Sequence, residues 1–161
     1  VVFHLIRNAH MSVDELDTLF NKRSGMMGLT GFGDLREVHR LVEEGNEDAK
    51  LALDIYVHRI VGYIGNYTAQ MGGVDVITFT AGVGENDDVV RKMVCDKLAP
   101  FGVKLDEEKN ATRSKEPRII STPDSAVTIC VIPTNEELAI ARKSAAIAEE
   151  GKDSYGNVFS K

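Results

Sequence analysis

Cysteine is scarce in this chain. Its 161 residues include two, Cys95 and Cys130, with no close pair. That excludes a disulfide framework and a cysteine-built zinc site. Cys130 lies in the apolar run 127–132, where a buried core role is expected. The four histidines, His4, His10, His39 and His58, lack metal-ligand spacing, so no chemistry is assigned to them. No run approaches the ~20 apolar residues needed to span a membrane. No secretory signal is visible, and a reducing, cytoplasmic setting is expected. Positive charge is not in excess: 19 Lys and Arg against 25 Asp and Glu leave a formal net charge of −6. This argues against nucleic acid and against anionic membrane surfaces as partners. It leaves ATP open, since a few N–H groups and one or two arginines suffice to hold a nucleotide. There is no internal repeat, no Gly-x-Ser-x-Gly nucleophile elbow and no Walker A pattern.

The length allows one domain with a real core, and 43% hydrophobic with 27% charged residues is a soluble globular balance. Ser12 and Glu15 form a capping box ahead of a helix bearing Leu16, Leu19 and Phe20 and ending near residues 21–22. Residues 24–33, rich in Gly and Met without periodicity, read as loop. Asp34 starts a helix with Leu35, Val38, Leu41 and Val42 on one face, closed by Gly45. The longest helix is expected over about 46–71, with apolar positions recurring at steps of four and three. Gly62 and Gly65 inside it suggest close packing against another element. A strand over 74–80 follows, then a helix over about 87–98. The charged stretch 106–116 is expected to be exposed, with a possible short strand at 103–105 before it. Residues 118–121 and 127–132 read as antiparallel neighbours, because the turn between them is too short for a crossover. Thr134 and Glu137 suggest a capping box for a last helix. Residues 151–161 read as a flexible tail. Strands separated by long helices make an α/β arrangement.

The most informative stretch is Phe79-Thr80-Ala81-Gly82-Val83-Gly84-Glu85-Asn86. A β-branched strand runs into a glycine turn and then a helix start, with Asn86 at the expected cap and Asp87 and Asp88 in the first turn. Glycines let a backbone approach a ligand with no Cβ in the way, and unpaired N–H groups at such a junction suit phosphate. Many α/β turns carry Gly-x-Gly for geometry alone. A dinucleotide-binding fingerprint is rejected, because Asp87 stands where its third glycine belongs.

Taken whole, that segment followed by Arg91 resembles the adenosine-binding loop of the acetate kinase family. Two further stretches resemble the same family, in its order and at about its spacing: residues 16–31, and the run Ile132-Pro133-Thr134-Asn135-Glu136-Glu137-Leu138. The resemblance extends over nearly the whole chain, to about Glu149. It implies the fold of the sugar kinase/hsp70/actin superfamily, an actin-like ATPase fold with two similar domains around a cleft. Residues 1–150 would be most of the second domain and would carry its nucleotide-binding part. Residues resembling Val1 lie well past the middle of acetate kinases, so a C-terminal portion of a longer parent is expected, without the antiparallel strands that open the domain.

The resemblance also implies roles. Gly82, Val83, Gly84, Glu85 and Asn86 would line the nucleotide pocket, with Val90 and Arg91 flanking the base, the latter by stacking its flat guanidinium. The competing reading is a structural turn beside an exposed Arg. Gly33-Asp34-Leu35-Arg36 stands where the family usually has Ser-Asp-Met-Arg. Asp34 would meet the ribose, Arg36 the base, with Leu35 between them; helix capping competes for Asp34. Glu136 would be the carboxylate associated with Mg²⁺, most simply through water. The family's catalytic residues lie upstream of Val1, so none is expected here. The implied function is ATP-dependent, reversible phosphorylation of acetate to acetyl phosphate, with ATP/ADP and Mg²⁺ as cofactors and a homodimer as the assembly. The alternatives are a propionate or butyrate kinase of the same family, or a non-catalytic nucleotide-binding or assembly module.

Overall fold

The computed structural model describes residues 1–150; the expected tail lies outside the described residues. The chain divides into two compact units, Val1–Val74 and Asp75–Lys161.

The first unit is helical. After α1 (Val2–Asn8), α2 (Val13–Lys22) starts at the expected capping box: the Glu15 amide donates to Ser12 Oγ and the Ser12 amide donates to Glu15 Oε2. The stretch expected to be loop instead holds α3 (Gly25–Thr30), which packs on α5 (Glu47–Met71). A six-residue helix gains little from propensity, so this packing is what supports it. Gly28 is required there, since a Cβ would sit 2.8 Å from the Arg23 carbonyl oxygen.

Asp34 caps α4 (Leu35–Glu43), and Val38 on its apolar face is fully buried. Asn46 then serves two helices. Its amide donates to Leu41 O while the Gly45 amide donates to Val42 O, closing α4 in a Schellman motif. Its Oδ1 accepts from the Ala49 amide at 3.0 Å, capping α5. Ala49, Ala52, Leu53 and Val57 of α5 join Leu16 and Val38 in the buried set of this unit. The packing expected at Gly62 and Gly65 is not there: among the described residues, a Cβ at either would meet nothing within 4 Å.

The second unit is built on a three-stranded sheet of order β1-β3-β2. β1 (Val76–Phe79) runs parallel to β3 (Thr128–Val131), with Val76 opposite Thr128 and Phe79 opposite Val131. β2 (Arg118–Ile119) pairs antiparallel with β3, as the short turn requires. The possible strand at 103–105 is a single bridge, Leu105 to Ser121. Among the described residues, no strand pairs with the other edge of β1. Between β1 and β3 run α6 (Ala81–Asn86), α7 (Asp88–Lys97) and α8 (Glu107–Ala111); α9 (Glu136–Glu150) follows β3. Val94, Leu98, Ile120, Ile129 and Val131 are fully buried and form the heart of the core. Cys95 is buried, whereas Cys130 is only half-buried.

Candidate functional site

The glycine segment leaves the C-terminal end of β1 and forms α6, six residues long. Its entry is strained. Ala81 has φ 58°, a left-handed conformation that non-glycine residues seldom adopt. Nothing in the sequence marks this residue, because Gly82 beside it is the obvious candidate for such a torsion. A Cβ at Gly82 would meet nothing within 4 Å among the described residues, whereas one at Gly84 would lie 3.2 Å from the Phe79 carbonyl carbon. The two glycines therefore differ in purpose: Gly84 lets the helix sit on β1, and Gly82 presents bare backbone to open space.

The expected cap is displaced by one residue. Asp87, not Asn86, caps α7, its Oδ1 accepting from the Val90 amide at 2.9 Å. Asn86 turns back instead and donates from Nδ2 to Gly82 O at 2.8 Å.

Glu85 joins two loops. Its Oε1 accepts from the Thr134 amide at 2.8 Å and from the Thr134 hydroxyl at 3.1 Å. The Thr134 amide holds the Glu85 carboxyl below its ordinary range, chiefly by favouring the charged form. This replaces the expected capping box of the last helix. With Thr134 engaged by Glu85, Asn135 is the cap, its Oδ1 accepting from the Leu138 amide at 2.9 Å. Glu136 then opens α9 with an exposed side chain.

Arg91 does not stack on anything in solvent. It is 2% exposed and lies beneath α6. Nη1 donates to Gly84 O at 2.9 Å and to Glu85 O at 3.0 Å. Nε donates to Asn110 Oδ1 at 2.8 Å, and Nη2 to Asn110 O at 2.7 Å. Burial, then the nearby Arg118 guanidinium, draws its pKa below the ordinary value, and Asp88 and Asp87 act in the opposite sense. Neither the stacking role nor the exposed alternative describes this residue. It is a buried clamp on the last carbonyls of the glycine segment. Val90 beside it is also buried, 2% exposed, and belongs to the core.

A cavity of about 580 Å³ opens beside this segment. It is lined by Glu85 and Asn86, by residues 113–117, and by Pro133, Thr134 and Asn135. The volume is in the range of small-ligand sites. Sequence reasoning missed the 113–117 wall, where Arg113 and Lys115 supply cations, because the stretch reads locally as an exposed charged loop.

Asp34, Leu35 and Arg36 belong to the first unit. Asp34 Oδ1 accepts from the Arg36 amide at 2.9 Å, so it is the helix cap. Its Oδ2 also accepts from Arg36 Nη2 at 2.6 Å. This pair is solvent-facing, so little energy opposes its exchange for a ligand.

Among the described residues, no group of three or more His, Cys, Asp or Glu side chains could hold a metal. The lone exposed carboxylate of Glu136 suits a hard cation held mainly by phosphate and water, and does not suit one caged by protein.

Similarity to known proteins agrees with the sequence resemblance. The profile of the acetokinase family matches residues 1–142. The chain belongs to the acetokinase family. It is 55% identical over 144 residues to an acetate kinase of Leifsonia xyli subsp. xyli, covering 89% of this chain and 36% of that protein. It is 53% identical over 149 residues to an acetate kinase of Corynebacterium efficiens, covering 92% of this chain and 37% of that one. The crystal structure of Porphyromonas gingivalis acetate kinase matches 91% of this chain and 37% of that chain, with TM-score 0.82 and 39% identity. A propionate kinase from Francisella tularensis subsp. tularensis SCHU S4 matches 88% and 36%, with TM-score 0.79 and 37% identity.

The chain thus spans a little over a third of the length of these acetokinase relatives. Its mixed helix and sheet architecture is part of the actin-like ATPase fold, as the family assignment implies. Among the described residues, no helix is long and apolar enough to cross a membrane.

Proposed function

We propose that this chain is the nucleotide-binding side of a cytoplasmic ATP:acetate phosphotransferase. The whole enzyme would reversibly convert ATP and acetate to ADP and acetyl phosphate. The observation that carries the reading is the family match over residues 1–142, within which the glycine segment presents bare backbone beside a cavity of ligand size. The 82–86 backbone would receive the nucleotide, and Asp34 and Arg36 would exchange their mutual pair for contacts to ribose and base. Val90 and Arg91 would act from behind, by packing and by clamping the segment. Glu136 would hold Mg²⁺ through water; the ion would neutralise phosphate charge. Phosphoryl transfer depends on groups placed around the transferred phosphate. Those groups would come from the rest of the enzyme, so the chain alone should form no acetyl phosphate from acetate and MgATP.

The same reading includes a homodimer and no nucleic-acid partner. Tyr63, Tyr67 and Met71 lie along one face of α5 at steps of four and are 51–67% exposed. Such a stripe supports helix-mediated association; light scattering at micromolar concentration that finds only monomer counts against it.

A second reading, propionate kinase, is favoured by the structural match to the Francisella enzyme. Kinetics of the full-length enzyme with acetate, propionate and butyrate separate the two. Gly82→Val tests the core of the proposal. The space at this position lets the variant fold, so any loss of ATP and ADP affinity reports ligand approach. A folded variant with unchanged nucleotide constants would reduce the segment to a structural turn.

A further inference from the structure

α6 is too short to hold its own shape. Its last four carbonyls, those of residues 83–86, have no partner among its own amides, and three of them find a donor beyond it. Gly82 O accepts from the Asn86 side chain, Val83 O from the Asp87 amide, and Gly84 O and Glu85 O from Arg91. A cation at a helix C-terminus is favoured by the helix dipole as well. The conformation of the segment therefore depends on where the Arg91 guanidinium is held.

Asn110 holds it. This residue is 4% exposed and sits in α8 with its amide donating to Asp106 O at 2.9 Å. Its Oδ1 and its carbonyl oxygen accept from Nε and Nη2, along one edge of the guanidinium, and its Nδ2 donates to Asp88 O at 2.9 Å. One side of the side chain meets a donor and the other meets an acceptor. Only an amide offers both from one carbon. A carboxylate would serve Arg91 but would face the Asp88 carbonyl without a proton. An aliphatic residue would serve neither.

We propose that Asn110 is a positioning residue for nucleotide binding, acting through Arg91 on the Gly84 and Glu85 carbonyls. This rests on the nucleotide reading of the 82–86 segment. Loss of the Asn110 side chain removes the anchor on Arg91 Nε and leaves the guanidinium held by main-chain carbonyls alone, which loosens the cap that keeps the segment's backbone in the receiving geometry.

The test uses the full-length enzyme that carries this chain, with Asn110→Ala, Asn110→Asp and, as the control for the nucleotide reading, Gly82→Val. Asn110→Ala is expected to raise KM for ATP and ADP about tenfold, the effect of loosening one charge-assisted anchor. KM for acetate should stay within about twofold, the mark of a change confined to nucleotide binding. Asn110→Asp keeps the acceptor for Arg91 and should return the nucleotide KM to within about threefold of wild type. A purely structural role would lower the folded fraction and leave every KM alone. Unchanged nucleotide KM in Asn110→Ala, equal losses in Ala and Asp, or nucleotide and acetate KM moving together overturns the proposal. If Asn110→Ala does not accumulate as folded protein, Asn110→Ser is judged by the same criteria. If wild type does not bind MgATP, or Gly82→Val leaves nucleotide constants unchanged, the nucleotide reading is what fails. Positioning is then decided by hydrogen exchange of amides 82–87: faster exchange in Asn110→Ala supports it, and equal exchange refutes it.

Discussion

Replacing Arg91 by Ala should destabilise the second unit strongly, although the residue lies beside an exposed glycine segment. The side chain makes four hydrogen bonds, of 2.7 to 3.0 Å, to three carbonyls and the Asn110 side chain. A hydrogen bond to a charged group contributes about 1.5–3 kcal/mol, so a plain sum would be about 6–12 kcal/mol. That sum is too large, because such bonds act as a unit and do not add. Gly84 and Glu85 are half-buried, so water can reach their carbonyls once the side chain is gone. Asn110 is the acceptor left buried. Leaving a buried acceptor unpaired costs about 1–3 kcal/mol, and the lost packing of the buried Arg91 side chain puts this case near 3. For a chain of this size that is a fall in melting temperature of about 6–12 °C. Thermal unfolding followed by circular dichroism measures it, with Arg91→Lys as a partner variant. Lysine keeps the charge but not the flat fork, and should recover only a minor part. A shift of under about 2 °C for Arg91→Ala would refute the clamp and restore an exposed, ligand-stacking role.

Three further outcomes follow from other parts of the fold. The hydrogen bonds from Arg36, first from its guanidinium and then from its amide, hold Asp34 at about 2, down from 3.8. Its folded value is depressed, so the stabilisation it gives α4 is complete above pH 3.8 and is lost as pH falls through about 2. An NMR titration of the Asp34 carboxyl with a midpoint at or above 3.8 would contradict this. Gly102 has φ +83° and a Cβ there would lie 2.7 Å from Ala126 Cβ, so Gly102→Ala should cost about 1–3 kcal/mol in urea unfolding. An unchanged midpoint removes the argument. Burial pushes the Cys95 thiol up to about 11, so iodoacetamide at pH 8 should leave it unmodified in the native protein. Labelling at the rate seen in denaturant would show that the core is open there.

The sequence alone determined what depends on neighbours a few residues apart. The Ser12–Glu15 box, the long helix over about 46–71 and the antiparallel pairing of β2 with β3 are all local, set by capping chemistry, 3.6-residue periodicity and a short turn. The family was legible too, because its motifs are contiguous runs such as 79–86 and 132–138. Tertiary structure decided whatever needed a distant partner. α3 is helical because α5 lies against it, and no periodicity in 24–33 announces that. Arg91 reads as a surface cation until its partner, Asn110, 19 residues away, is brought beneath α6. Thr134 reads as a cap until Glu85, 49 residues back, takes its hydroxyl and amide and leaves capping to Asn135. Ala81 carries the left-handed torsion only because β1 and α6 fix both sides of it. In each case the local sequence supplies the hydrogen-bonding group, and the fold chooses which of several available partners it meets.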